Sequence, residues 1–460
     1  LPKLGLRIEM TSNSCPCMTT ITSHCSYHSL CKSASMKHGK HYMEPQKVSE
    51  LILTEGQEEA MAKFMDFLLD PLETMFVLSG YAGTGKSTLV KYLLESVPKI
   101  MQTLMLIDPN RKNMAIQLTA TTNKAADVLG QMVGDVVPTI HSYLGLSVYT
   151  DYKTGVTSLK DRSGTEIYNT LVFIDEASFV DRELLTLITK KCVQSKVIFI
   201  GDAAQLAPVK STHIPVFNAG FPTAQLTEVM RQAKGNPIID LATKFRNTVN
   251  TGEFFNFNPD GIQIRHMGSA DFKNAIETEF LDPTWSHNRS KILAWTNKRV
   301  TQYNNHICEL LVGTSNINVG DYCVLNKHIT VNRKSLATDS IVYITGVSED
   351  TQMYGVDGKH VQLNHEHNVF VPNCWTETKK QIAKWRKEGN YHLCATADNW
   401  ADLRATYACT VNKSQGSTYD KVFIDLSDIS RCNSGNQIAR MLYVAVSRAR
   451  HEVIFTGDFV

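Results

Sequence analysis

The run Gly80-Tyr81-Ala82-Gly83-Thr84-Gly85-Lys86-Ser87 has the residue types and spacing to hold phosphate. Its glycines let backbone N–H groups turn toward an anion. Lys86 can then reach the β and γ phosphates of ATP, and the Ser87 hydroxyl can bind Mg²⁺. Gly80, Gly83, Thr84, Gly85, Lys86, Ser87 and Thr88 are the expected nucleotide-binding residues. A carboxylate pair, Asp175-Glu176, closes the apolar run Leu171-Val172-Phe173-Ile174. Asp175 at a strand tip can join Ser87 on Mg²⁺, while Glu176 can orient or deprotonate an attacking water. Gln205, in Gly201-Asp202-Ala203-Ala204-Gln205, offers a neutral amide that can sense a γ-phosphate; by spacing alone a plain strand-ending turn fits equally well. Arg231 and Arg448 are candidate arginines for stabilising charge in phosphoryl transfer.

Such groups need a sheet to hold them. Met75–Leu78 is a short apolar run, read as a buried strand, and Leu89, Val90, Leu93, Leu94 and Val97 behind the glycine loop recur at helical spacing. Strand, glycine loop and helix is the context that a phosphate loop requires. Further buried strands are expected at Ile116–Thr119, Leu171–Ile174, Val197–Ile200, Ile292–Trp295, Val422–Ile424 and Val453–Phe455. Helical stretches separate several of them, so the fold class is α/β with parallel sheets. The strands fall into two groups, before about residue 210 and after about residue 290, which implies two cores. Two segments break the alternation. Residues 147–170, with Tyr149, Tyr152, Asp151 and Gly155, suggest a protruding hairpin, and residues 317–400 read as short strands with turns at Gly320-Asp321 and Asp357-Gly358.

The totals constrain partners. The chain has 460 residues, with 47 Lys and Arg against 45 Asp and Glu. A net charge of +2 means that nucleic acid would need a local groove rather than the field of the whole molecule. The chain has no run of 18 apolar residues, so no membrane span is expected, and no signal peptide is visible, which makes a reducing cytosol the expected compartment. Cys15, Cys17, Cys25 and Cys31 lie near His24 and His28, but no C-x-x-C pair is present, which favours a tail over a zinc site. Residues 1–42 are expected to be a disordered tail or an extension outside the folded protein.

An ordered set of segments resembles the superfamily 1 helicases, in their RecD-like branch. The set is Leu53-Thr54-Glu55-Gly56-Gln57, the phosphate loop, Thr119 to Ala126, Thr139-Ile140-His141-Ser142, Ile174 to Ser178, Gly201 to Leu206, Leu226 to Gln232, Val411-Asn412-Lys413-Ser414-Gln415-Gly416, and Leu442 to Arg450. The resemblance covers roughly residues 50–460. It implies two RecA-like cores, at 43–146 with 171–225 and at 226–316 with 401–460. It makes 147–170 the pin that splits a duplex and 317–400 an inserted SH3-like β-barrel. It implies that Gln57 reads the adenine edge, that Gln205 couples the γ-phosphate to the nucleic-acid groove, and that Arg231 and Arg448 are arginine fingers. Thr121, Thr122, Asn123, Lys124 and His141 would contact single-stranded DNA from the first core, and Lys413, Ser414 and Gln415 from the second. Tyr149 or Tyr152 could stack on the last base pair, whereas Trp375 and Trp385 are read as packing residues. Many relatives carry His where this chain has Asn412, which leaves the DNA contact there open.

The implied function is an ATP-dependent DNA helicase moving 5′ to 3′, acting on single-stranded DNA and duplex junctions in replication, recombination or repair. Other replication or recombination proteins are candidate partners, and a monomer is compatible with the sequence. Two other readings stand beside it. A P-loop kinase would need neither a second core nor Arg448, and an ATP-switched clamp would not need the Asp175-Glu176 pair.

Overall fold

The computed structural model describes residues 52–81, 83–109, 112–151, 157–208, 213–228, 235–256, 258–313, 317–332 and 334–458. Residues 1–42, Tyr152 and Arg231, on which expectations were placed, lie outside the described residues.

Helix Glu55–Leu69 opens with a capping box. The Thr54 hydroxyl accepts from Gln57 N, and Gln57 Oε1 accepts from Thr54 N. Its buried face, Ala60, Phe64, Phe67 and Leu68, covers a sheet. Chain order then runs β1 (Met75–Gly80), helix Lys86–Ile107, β2 (Ala115–Ala120), helix Asn123–Val133, β3 (Leu146–Thr150), β4 (Thr157–Asp161), β5 (Thr170–Asp175), helix Arg182–Lys191, β6 (Lys196–Gly201) and β7 (Thr223–Leu226). Five of these strands form one sheet in the order β2-β5-β6-β1-β7, paired parallel throughout. Every residue of β1 and β6 is buried, as central strands covered on both faces must be. β5, β6 and β1 are neighbours, so their C-terminal ends bring Asp175-Glu176, Gly201-Asp202 and the phosphate loop together. Open parallel sheets bind ligands at that edge.

The second half begins with helix Pro237–Thr251, β8 (Ile264–Met267), helix Ser269–Phe280, β9 (Ser290–Ala294) and helix Asn297–Val312. A run of antiparallel strands follows: β10 (Tyr322–Leu325), β11 (Ile329–Val331), β12 (Lys334–Leu336), β13 (Ile341–Val347), β14 (Thr351–Met353), β15 (Val356–Leu363), β16 (His367–Pro372) and β17 (Leu403–Ala405). The chain then returns through β18 (Ala408–Thr410), β19 (Tyr419–Asp425), helix Gly435–Val446 and β20 (Ala449–Thr456). β18-β9-β19-β20-β8 make a second parallel sheet of five strands. The α/β class with two parallel sheets is therefore present. The short strands β7, β8 and β18 widen both sheets beyond the expected strands; each has three or four residues, too few for a periodicity to register.

The segment after Val312 corrects two expectations. Asp357-Gly358 is not a turn; it lies within β15. The reversal sits at Tyr354-Gly355, both with positive φ, which is the geometry of a tight hairpin. Gly358 is instead a close-approach glycine, since a Cβ there would meet the Phe370 ring at 2.4 Å and Val371 O at 2.5 Å. The stretch is also not strands alone, because Trp375–Lys387 and Tyr391–Ala397 are helices. Trp375, Thr378, Ile382 and Trp385 recur at helical spacing, and Trp385 packs in a cluster with Val356, Phe370 and Trp400.

β3 and β4 pair as a separate two-stranded antiparallel ladder, from Leu146 opposite Asp161 to Thr150 opposite Thr157. The two parallel sheets share one apolar seam. Ala204 and Leu206, just beyond β6, are each 2% exposed inside the cluster formed by Ile238, Leu241, Phe245, Leu442 and Tyr443. No helix among the described residues is long and apolar enough to cross a membrane.

Candidate nucleotide-hydrolysis site

β1 delivers the chain into the glycine loop. A Cβ on Gly80 would lie 2.9 Å from Thr84 Oγ1 and 3.0 Å from Lys86 Cγ, so the loop closes only over glycine. Gly83 and Gly85 take φ of 82° and 77°, the left-handed region that glycine reaches without strain. Thr84 Oγ1 donates to Tyr81 O at 2.8 Å. The Lys86 ammonium donates to Gly80 O and, at 3.1 Å, to Tyr81 O. Burial lowers its pKa, against the opposing pull of Asp202, Glu176 and Asp175. Ser87 is exposed at the first turn of its helix, and Thr88 is half-buried. Gln57 is 1% exposed and donates through Nε2 to Gly85 O at 3.4 Å, so its amide already abuts the loop.

Asp175 ends β5, and Glu176 follows with φ 52°, a left-handed turn that swings its side chain into the cleft. Burial raises both carboxyls, and Glu176 is pushed up to about 7 by burial first and by Asp175 second. A narrow cavity of about 160 Å³ is lined by Lys86, Ser87, Asp175, Glu176, Gln205 and Arg448. A wider concavity of about 780 Å³ lies elsewhere, among Phe245, Phe255, Leu426 and Ile438, and has none of these phosphate-binding or acid–base groups.

Arg448 comes from the second sheet, just before β20. Its guanidinium is oriented by Val444 O at 3.1 Å, Ser417 O at 3.1 Å and Ser447 Oγ at 2.8 Å. Gly416, with φ 71°, lies beside Glu176, and a Cβ there would sit in ordinary van der Waals contact with Oε1 at 3.9 Å, so its backbone conformation rather than crowding calls for glycine. Gln205 is buried between the two halves. Its Oε1 accepts from Ser178 Oγ at 3.1 Å and from Gln415 Nε2 at 3.3 Å. The amide at position 205 is thus a bridge, and Gln415 is drawn toward the cleft as its partner.

The remaining candidates occupy varied surroundings. Thr121 is 8% exposed, and its hydroxyl donates to Glu176 O at 2.9 Å. Thr122 caps helix Asn123–Val133 by accepting from Ala125 N. Asn123 Nδ2 donates to Thr338 O at 3.4 Å, and Lys124 Nζ lies 5.8 Å from the centre of the Tyr419 ring. His141 is half-buried, with its pKa lowered by burial. Tyr149 is exposed on the β3–β4 ladder, with Lys160 Nζ 3.4 Å above its ring. Lys413 is partly exposed and donates to Asn326 at 2.6 Å and Asp339 at 2.9 Å. Ser414 is fully buried and donates to Val411 O, so its hydroxyl serves its own turn.

Sequence reasoning passed over Asp202, Arg246, Arg440 and Tyr443, which join the halves. Arg440 donates to Ala203 O at 2.7 Å and Gln205 O at 2.5 Å, and Tyr443 donates to Asp202. Asp202 and Tyr443 lie within quoted segments whose expected roles fell on other residues, whereas Arg246 and Arg440 lie in none; their contacts with each other's halves single them out.

Residues 52–259 match the family model described as an AAA domain, and residues 405–456 match that of a UvrD-like helicase C-terminal domain. The chain is 26% identical to the ATP-dependent DNA helicase dda of Enterobacteria phage T4, over 88% of this chain and 99% of that protein. It is 26% identical to the ATP-dependent DNA helicase Pif1 of Bdellovibrio bacteriovorus, over 88% of this chain and 87% of the relative. A solved Pif1 helicase from Bacteroides, in complex with ADP-AlF3 and ssDNA, aligns over 89% of this chain and 94% of its own, with 18% identity and a TM-score of 0.46.

Proposed function

Since the chain belongs to the superfamily 1 helicases of the RecD and Pif1 branch and is an ATP-dependent DNA helicase, we propose that it moves 5′ to 3′ along single-stranded DNA by opening and closing a cleft between two RecA-like cores. The observation that carries this reading is the buried Gln205 amide, which touches the Glu176 side of the cleft through Ser178 and the second core through Gln415. A change at the γ-phosphate therefore has a direct mechanical route to the far core.

In this reading Lys86 leaves the Gly80 and Tyr81 carbonyls to take the β and γ phosphates of ATP. Gln57 meets the adenine edge. Glu176 takes a proton from the attacking water, and its raised pKa suits a base working near neutrality. Arg448 supplies positive charge from the second core, and Arg231 is a second such arginine. Ser87 and Asp175 fit Mg²⁺, because that ion usually takes one or two protein oxygens and keeps its waters. When bound, it neutralises charge on the phosphates. The cavity of about 160 Å³ is smaller than the ~300–1,000 Å³ usual for ligand sites, which supports a cleft that must widen to admit ATP.

Single-stranded DNA would lie across Thr121, Thr122, Asn123, Lys124 and His141 on one core and Lys413 on the other; Ser414 and Gln415, expected from the sequence to join it, are buried and hold the Lys413 turn from beneath instead. The β3–β4 ladder would act as the pin, with Tyr149 or Tyr152 against the last base pair. The antiparallel strands β10 to β17 would be the SH3-like insertion, and replication, recombination or repair the setting. Comparing the unwinding of duplexes with a 5′ tail and with a 3′ tail tests activity and polarity together. Preference for the 3′ tail would refute the proposed direction, and no unwinding of either would refute the motor.

A further inference from the structure

Asp202 has no role in the mechanism above, yet it is fully buried at the joint between the cores. One oxygen accepts from Ala204 N at 2.9 Å and the other from the Tyr443 hydroxyl. On a third side stands Arg246, from helix Pro237–Thr251, with Nε 3.8 Å from Asp202 Oδ1. Arg246 is 8% exposed, and its Nε has no hydrogen-bond partner. A buried charge seldom persists without a counter-charge, so the two groups need each other.

Arg246 also touches the phosphate loop. Its guanidinium lies 4.2 Å from the centre of the Tyr81 ring, a cation–π distance. Tyr81 itself packs against the second core's apolar cluster, and its hydroxyl donates to Thr227 O. One side chain of the second core therefore meets both the loop that carries Lys86 and the turn that carries Gln205. From that turn the path leads back to the second core. Tyr443 and Arg440 grip residues 202–205 from helix Gly435–Val446, and the turn after this helix carries Arg448.

We propose that Arg246 is a positioning residue for ATP hydrolysis: held between Asp202 and the Tyr81 ring, it sets helix Gly435–Val446 against residues 202–205 so that Arg448 faces the γ-phosphate. The inference rests on the reading of Arg448 as an arginine finger. Arg246 is placed by Asp202 and the Tyr81 ring. Its effect passes through Arg448, and this gives it a signature that packing alone lacks.

The test is steady-state ATPase at saturating single-stranded DNA for the full chain and its Arg246→Ala, Arg448→Ala and double variants, with ATP KM and thermal midpoint measured alongside. A misplacement on the ångström scale costs up to about 100-fold, so Arg246→Ala should lower kcat by roughly 10- to 100-fold and change KM by less than about threefold. In the Arg448→Ala background the same change should cost almost nothing, because residues acting as a unit are not additive. Arg246→Lys keeps charge beside Asp202 but loses the flat stacking surface, so it should fold and show a partial kcat loss. A wild-type kcat in both Arg246 variants would overturn the proposal. So would additive losses in the double variant, or a kcat loss matched by an equal loss of ATP affinity. Additive losses would leave the arginine-finger reading standing, whereas full activity in Arg448→Ala would remove that reading and this proposal together.

Discussion

Glu176 offers the sharpest test of the chemistry, because its environment makes a quantitative demand. The side chain faces a narrow cleft beside Asp175, and both burial and that neighbour favour the neutral acid, pushing its pKa up to about 7. A general base must be ionised to act. With a pKa near 7 the base is about one-tenth ionised at pH 6 and about nine-tenths at pH 8. The sign follows from the shift: the inactive protonated form persists up to neutrality, so kcat must climb with pH. The expected rise in kcat from pH 6 to pH 8 is therefore about tenfold, against almost none for a carboxylate at its ordinary value near 4.5. The assay is ATP turnover at saturating ATP and single-stranded DNA from pH 5.5 to 8.5, with folding checked at each pH. Glu176→Gln should lower kcat by roughly 10² to 10⁴-fold and flatten the profile. A flat wild-type profile between pH 6 and pH 8, or a Gln variant that keeps the limb, would refute the assignment.

Lys86→Ala should abolish ATP turnover while leaving single-stranded DNA binding within a few-fold of wild type; an ATPase assay paired with fluorescence anisotropy checks both. Tyr149→Ala on the β3–β4 ladder should slow strand separation more than translocation on single strands, and equal losses would reject the pin. Lys291 is 6% exposed, with its pKa held down to about 8 by burial. Its folded value lies below its unfolded value, so above pH 8 the unfolded chain binds more protons and stability rises with pH. Urea unfolding should thus show about 1–2 kcal/mol of added stability between pH 7.5 and 9.5, and Lys291→Met should remove that increment.

What the sequence disclosed was local. The phosphate loop, its strand and its helix are contiguous, so spacing alone revealed Lys86 and the glycines. The buried strands around Phe173, Phe199 and Phe423 were legible as apolar runs because both faces of a parallel sheet are covered. Strands of three or four residues, such as Ala408–Thr410, were not, because pairing with Ile292–Ala294 rather than composition makes them strands. Gly358 read as a turn because glycine usually marks one; its true constraint is the Phe370 ring across the ladder. Site residues followed the same division. Arg448 was a candidate arginine that only the ordered segments singled out, and Arg246 emerged from nothing in the chain, since its meaning lies in Asp202 and Tyr81, far away in sequence.

The seam at Ala204 and Leu206 decides how the protein can be cut. Residues up to about 228 carry the whole phosphate loop, both carboxylates and Gln205, and would look like a self-sufficient ATPase domain on paper. Yet the turn that holds Gln205 is moored by apolar side chains that belong to the other half's interior. A fragment ending there would present Ala204 and Leu206 to water and leave that turn without its anchor. Limited proteolysis should accordingly find the turn resistant in the full chain and the first site of cleavage in such a fragment. The chain is better regarded as two cores with interiors of their own, pinned together where one turn of the first enters the second, than as two beads on a string.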